Sequence, residues 1–495
     1  MSSRRPKGGP SSGLGGAFKE VKKRWLDAAL AALLAAAAVH AVGFSFSLAW
    51  SVRSQIFFSF RQTQTAISAY WMLQGGPLVT YETPVLGAPW AIPFEFPLFQ
   101  WMAAALASLG VPLDAAGRLV SFSFFFLCLL PARWIFKELG FDRATFTAFA
   151  IMFLFSPLYV FYGRAFMIES TALFLGAAWL AFMLRYCRRG GRLTLACAIA
   201  AGALGILVKS TTFATFGLLG AAALAALFIR RKPVLLRGGR IKVDQAILAR
   251  CLAGGVACVL VLAIGLSWVR YTDQVKFENP SGFRIVSGNL KDFNYGPLDL
   301  RWSPRLWDVA ILKRALPEIF GVLFPIAIVA FGAALSVRRD ALYAGAALLA
   351  ALAPLLLFAN LHRVHDYYQY ANGAFAIAAV ALGVGALFSV RQRALGFLLL
   401  AGVVVSQLLQ FNQQYRPAIV ADGTGGSRYR AALAAREATD SNEGLLVLGT
   451  IGLRKCRTTR EGAALRSRDG EARRTSGASS KRRKKPSVGL SLAQS

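Results

Sequence analysis

Four short stretches set chemistry-bearing residues between long apolar runs. The first places Arg61, Gln62 and Gln64 ahead of two carboxylates, Glu82 and Glu95. Glu95 sits in PFEFPLFQW, among prolines and aromatics. A carboxylate there is partly desolvated, the environment in which an acid becomes a useful general base; the plainer reading is a polar loop with solvated charges. The second, SPLYVFYGRAFMIES (156–170), holds Arg164 and Glu169 in one short turn. They read either as an ion pair closing two helix ends or as an anion-binding arginine beside another carboxylate. The third, ILVKSTTF (206–213), isolates Lys209 between two apolar blocks. That lysine either snorkels to the surface or holds a phosphate as a point charge. The fourth, FANLHRVHDYYQYANG (358–373), crowds His362, Arg363, His365, Asp366, Tyr367 and Tyr368. Two histidines and an aspartate are possible metal ligands, but H-x-x-H-D is not a specific motif. Binding of a phosphate or sugar by His362, Arg363 and His365 is the preferred reading, with the tyrosines alternatively an interfacial belt. The sequence assigns no certain cofactor and leaves a divalent metal open.

The elements that must position these residues are membrane spans. Of 495 residues, 56% are hydrophobic and only 16% charged, whereas soluble domains carry about a quarter charged residues. The composition excludes an ordinary soluble enzyme, a disordered chain and a fibrous repeat. The formal net charge of +32 does not point to nucleic acid, because much of it lies in short loops between apolar blocks and in the last ~45 residues, as orientation signals do. The six cysteines, at 128, 187, 197, 251, 258 and 456, contain no CxxC and suggest neither a disulfide framework nor a zinc site.

Apolar blocks near 26–48, 117–136, 143–161, 166–186, 192–208, 212–229, 249–269, 316–336, 341–358, 370–390 and 394–411 predict about 11 transmembrane helices. The stretch Phe96 to Leu109 is too short to cross and is expected to lie at the interface. With a cytoplasmic N-terminus and 96–109 not crossing, 25 of the 56 Lys and Arg fall on the inner side, among them RYCRRGGR (185–192) and RRKPVLLRGGR (230–240). That is the positive-inside pattern. All four clusters then fall on the outer face. The expected organisation is an all-α polytopic membrane protein. It has a basic N-terminus (1–25), a membrane domain (26–411) with external loops 49–116 and 270–314, the start of a small external segment (412–452), and a basic tail (453–495). The tail holds 13 basic and 3 acidic residues after 452. It reads as a polybasic lipid-binding segment or as a shifted frame that truncates the external segment.

The order RQxxTA (Arg61, Gln62, Thr65, Ala66), EFPLFQWMAAALASLG, GRLVSF (117–122), SPLYVFYGRAFMIES, LVK and HDYY resembles the C-type integral-membrane glycosyltransferases that use polyprenyl-phosphate sugars. Within them it is similar to the bacterial relatives of dolichyl-phosphate-mannose protein mannosyltransferases and of the lipid A aminoarabinose transferase. The resemblance covers about residues 26–415. Such proteins typically carry an acid in RQxDTA, where this chain has Gln64; Glu82 or Glu95 then supplies the missing carboxylate, and Glu169 matches the second acid of the pattern. The resemblance implies inverting transfer from a polyprenyl-phosphate sugar to a lipid, glycan or protein acceptor, outside the bacterial cytoplasmic membrane. Arg61, Gln64, Arg164, Lys209, His362, Arg363, His365 and Tyr367 would bind donor or substrate. Glu95, Glu169 or Glu82 would be the base. The alternatives are a transporter or lipid flippase and a non-catalytic membrane subunit. The loop 268–304, rich in aromatics, Asn and Gly, is expected to cover the site and help select the acceptor.

Overall fold

The computed structural model describes residues 13–46, 59–84, 86–237, 240–417 and positions 434, 437 and 438. Most of the segment 412–452 and all of the tail 453–495 lie outside the described residues. Eight described helices are long and apolar enough to cross a bilayer: Arg24–Gly43, Leu113–Glu138, Glu169–Arg189, Ser210–Arg231, Gln245–Phe277, Arg338–Leu357, Asp366–Ser389 and Arg393–Tyr415. Twenty residues at about 1.5 Å each match a hydrocarbon core of about 30 Å. The other three expected spans fall on less regular elements. Two are the shorter helices Arg143–Phe155 and Arg192–Val208. The third is a pair, Arg305–Phe320 and Pro325–Ser336, bent by 80°. The bend falls at Gly321, which has φ 86°. A Cβ there would stand 2.0 Å from the Ser406 carbonyl oxygen, so the break falls at a close approach to a neighbouring helix that admits only glycine. Leu98–Ser108, at 11 residues, is too short to cross, as expected of the interfacial stretch.

One feature departs from the all-α expectation. The basic loop after Ser210–Arg231 contains a two-stranded antiparallel ribbon, Val234–Arg237 with Arg240–Val243, registered Val234 to Val243. Its four-residue strands, VLLR and RIKV, mix aliphatic and basic residues over so short a run that the sequence reads as an orientation signal.

Glu169–Arg189 and Asp366–Ser389 are the most deeply buried spans. Gln245–Phe277 instead exposes Leu252, Val256, Val259, Leu262 and Leu266, the surface that faces lipid in a bundle of this kind. Chain alternation brings the starts of Glu169–Arg189, Ser210–Arg231 and Asp366–Ser389 to one end of the bundle. At the opposite end, Arg188 and Arg189 approach Glu138 at 3.6 and 3.4 Å, and Arg339 donates to the Leu139 carbonyl. The basic segments and the candidate site therefore occupy opposite ends.

Candidate active site

The segment between the helices Ser59–Leu73 and Leu98–Ser108 holds its carboxylate from several directions. Arg61, on the helix Ser59–Leu73, donates to Glu95 Oε2 at 2.7 Å and to Gln64 Oε1, one helical turn on, at 3.0 Å. Gln100, on Leu98–Ser108, donates to Glu95 Oε1 at 2.9 Å. The Tyr81 hydroxyl donates to the Glu95 carbonyl and accepts from the Phe94 amide. Glu95 is thus desolvated as expected, at 9% exposure, but is bonded at both oxygens. Burial alone would lower the Arg61 pKa; the Glu95 carboxylate, with Tyr367 and Tyr368, outweighs it and raises it.

A second acid stands nearby. The turn 163–168 lies on the GRLVSF stretch. Ser121 Oγ reaches the Ala165 and Met167 carbonyls at 2.5 and 2.9 Å, and Ser170 donates back to the Ser121 carbonyl. Gly117 leaves room for the Phe166 ring, which a Cβ would meet at 2.2 Å. Gln62 accepts from the Phe166 amide at 3.2 Å. This bed fixes Glu169 at the N-terminus of its helix, where the helix dipole favours a carboxylate. Glu169 is 2% exposed. Its Oε2 pairs with Lys209 Nζ at 2.5 Å, while Oε1 is buried without a hydrogen-bond partner among the described residues.

Lys209 interrupts Arg192–Val208 and Ser210–Arg231 with an extended backbone. It is buried and does not snorkel. Its ammonium lies 4.2 Å from the Tyr368 ring centroid and 5.3 Å from that of Tyr367. Burial lowers its pKa, opposed by Glu169. The Phe96 amide donates to the carbonyl of Leu207, which ties the Glu95 loop to the residues before Lys209. Arg61, Glu95, Glu169, Lys209, Tyr367 and Tyr368 lie within mutual electrostatic reach.

The remaining expected residues divide. Arg164 is buried in the same turn that leads into Glu169. Glu82 forms a backbone bridge to Ala91, apart from the Arg61–Glu95–Gln100 contacts. Arg363 spends its guanidinium on Asn360. Burial, with Lys209 nearby, lowers the pKa of His362 to about 3 and of His365 to about 4. At neutral pH their imidazoles offer one N–H donor and one acceptor each. Among the described residues no three His, Cys, Asp or Glu side chains gather as a metal site. The two acids of the cluster are each paired with a cation.

Sequence reasoning missed two features. Gln100 is a lone amide inside an apolar run, a signal available in the sequence. The pair Glu318 and Asp366, both buried near Arg314, Tyr162 and Tyr415, was not legible. Arg314 holds the carbonyls of His362 and Arg363 from the bent span, and this fixes the turn before Asp366–Ser389.

Acidification follows from the buried imidazoles. Below pH 6.5 an unfolded chain binds protons that His362 and His365 refuse until about 3 and about 4, so stability falls as pH drops through that window. Thermal unfolding is expected to show this loss between pH 6.5 and 4. The variant His362→Asn/His365→Asn should show a shallower slope; an identical slope would remove the histidines as its cause.

The model of the family described as dolichyl-phosphate-mannose-protein mannosyltransferase matches residues 97–277. No curated protein sequence is significantly similar. Among solved structures, ArnT from Cupriavidus metallidurans bound to undecaprenyl phosphate shares the fold, with a TM-score of 0.51 and 15% identity over 85% of this chain and 83% of that one. Looser likenesses are to the archaeal oligosaccharyltransferase AglB from Archaeoglobus fulgidus (TM-score 0.47, 14% identity, 84% of this chain and 58% of that one) and to the arabinofuranosyltransferase AftD from Mycobacteria (0.46, 17%, 86% and 30%). Residues 97–277 thus match a mannosyltransferase family model, and over most of its length the chain shares the polytopic membrane fold of ArnT.

Proposed function

We propose that the site transfers a sugar from a polyprenyl-phosphate-linked donor to an acceptor hydroxyl, with inversion at the anomeric carbon. The observation that carries this reading is the interleaving of two carboxylates and two cations at one end of the bundle: Arg61 with Glu95, and Lys209 with Glu169. Glu95 is the base. Each of its oxygens keeps a second lone pair after accepting from Arg61 or Gln100, and both partners hold it in place. The acceptor oxygen bonds to the anomeric carbon as the bond from that carbon to the phosphate oxygen breaks, and Glu95 takes the acceptor proton. Polyprenyl phosphate departs as an anion and needs no acid. Lys209, held by Glu169, and Arg164 stabilise its charge. The two pairs are specific for this separation of roles, because a charged leaving group and a proton acceptor must stand on opposite sides of the reacting carbon.

The test is to add radiolabelled polyprenyl-phosphate sugars to the purified protein and determine the anomeric configuration of the product. Inverted product is expected; retained configuration, or no transfer from any such donor, would overturn the reading.

The site faces the outside of a bacterial cytoplasmic membrane, with the N-terminus inside; the gathering of basic residues at the opposite end of the bundle supports this. With native cysteines replaced, a cysteine at Leu298, 79% exposed, should react with an impermeant thiol reagent added outside intact cells. One at Leu193, 78% exposed at the other end, should not. The reverse pattern would invert the topology.

A further inference from the structure

The outer end of Gln245–Phe277 carries a buried cation that the transfer chemistry leaves unused. Lys276 is 5% exposed. Its nearest carboxylate, Asp273, stands 3.7 Å away, beyond hydrogen-bond distance. Asp273 is already engaged, accepting from the Ser287 amide at 2.9 Å and its hydroxyl at 2.5 Å. The other neighbour of the ammonium is the Phe94 ring, 5.3 Å to its centroid. An ammonium offers three donors, and its ion pair with Asp273, 3.7 Å long and shared with Ser287, leaves it able to take a second anion. A lysine kept in this state is poised for an anion supplied from elsewhere.

Its surroundings place that anion beside the reaction. Phe94 directly precedes Glu95, and Lys276 feels the Glu95 charge. Asn279, one turn further, donates to the carbonyls of Gly87 and Pro89 and so clamps the Glu95 loop. The Asp273–Ser287 contact ties in the long external loop. On the same helix, Trp268 and Tyr271 continue an aromatic run from Phe96, with centroids 5.2 and 5.4 Å apart in sequence. Lys209 and Arg61 answer to Glu169 and Glu95, whereas Lys276 adjoins the other side of the Glu95 loop, beside the external loop.

We infer that Lys276 is a specificity determinant that binds an anionic group, phosphate or carboxylate, carried by the acceptor. This deepens the transfer reading and rests on Glu95 facing the acceptor. Charge-assisted hydrogen bonds are about twice as strong as neutral ones, so acceptor charge should matter by about tenfold, the equivalent of ~1.4 kcal/mol.

The full chain in zwitterionic-lipid nanodiscs is titrated with octyl glucuronide and octyl glucoside, which differ in one carboxylate, and tryptophan fluorescence reads binding. The wild type should bind the glucuronide about tenfold more tightly, K276M should lose that ratio, and K276R should keep it. Inorganic phosphate should compete with the glucuronide in the wild type. A ratio near one in the wild type, or a ratio that survives K276M, overturns the inference. So does competition by anionic phospholipid with no preference for the glucuronide, which would make the site a lipid contact. Should K276M fail to fold, the wild-type ratio, its competition by phosphate and the behaviour of K276R decide the matter. Charge-selective binding without any sugar transfer would sink the transfer reading and leave the anion site standing.

Discussion

Glu95→Gln is expected to slow sugar transfer by about 10²–10⁴-fold while donor affinity stays within about twofold. The amide keeps the size of the carboxylate and still accepts at its oxygen from Arg61 or Gln100. It cannot take the acceptor proton, so the loss falls on the chemical step. Single-turnover transfer from a labelled donor, beside equilibrium donor binding, separates the two. Gln100→Ala is the informative companion. Gln100 positions Glu95 from 2.9 Å without reaching the substrate by its own chemistry, so its loss should reduce rate less and leave the pH profile shaped by the same base. Transfer by Glu95→Gln at the wild-type rate would remove Glu95 as base and shift the role to Glu169, whose Oε1 has no hydrogen-bond partner among the described residues.

Lys209→Met is expected to lower both stability and activity, and pairing it with Glu169→Gln should separate the effects. Removing one member of a buried ion pair leaves the other charge without compensation, at a cost of about 3–5 kcal/mol. Lys209 and Glu169 are 9% and 2% exposed in their side chains and 2.5 Å apart, so the condition is met. In Lys209→Met/Glu169→Gln neither charge of this pair remains, and thermal stability should return most of the way to wild type. Activity should not return, because the leaving phosphate has lost its ammonium in ground and transition states alike. Unfolding midpoints in detergent and donor dissociation constants for the four proteins form the cycle. Recovery of transfer in the double variant would make Lys209 a structural residue and leave Arg164 as the principal phosphate contact.

The span pattern, the segregation of basic residues and the gathering of four polar clusters at one end were legible in the sequence. Each of these depends on local hydropathy, and chain alternation through a bilayer then assigns every loop to one end or the other. The transferase class came from motif order, which survives where overall identity to ArnT is only 15%. The division of labour within the cluster was not legible. Arg61 meets Glu95 across 34 residues, and Lys209 meets Glu169 across 40; no periodicity links positions on separate helices, and only packing decides which cation faces which acid. The same reason hid the Glu318–Asp366 pair, which joins the bent span to Asp366–Ser389. It also hid the true state of His362 and His365. Burial beside Lys209 and Arg314 holds both well below the ordinary imidazole pKa. Hydropathy could not reveal the break at Gly321 either, because its cause is the approach of the Ser406 carbonyl from another helix. The sequence by itself determined which residues gather at one end of the bundle; the tertiary structure alone decided which of them meet across separate helices and which are buried.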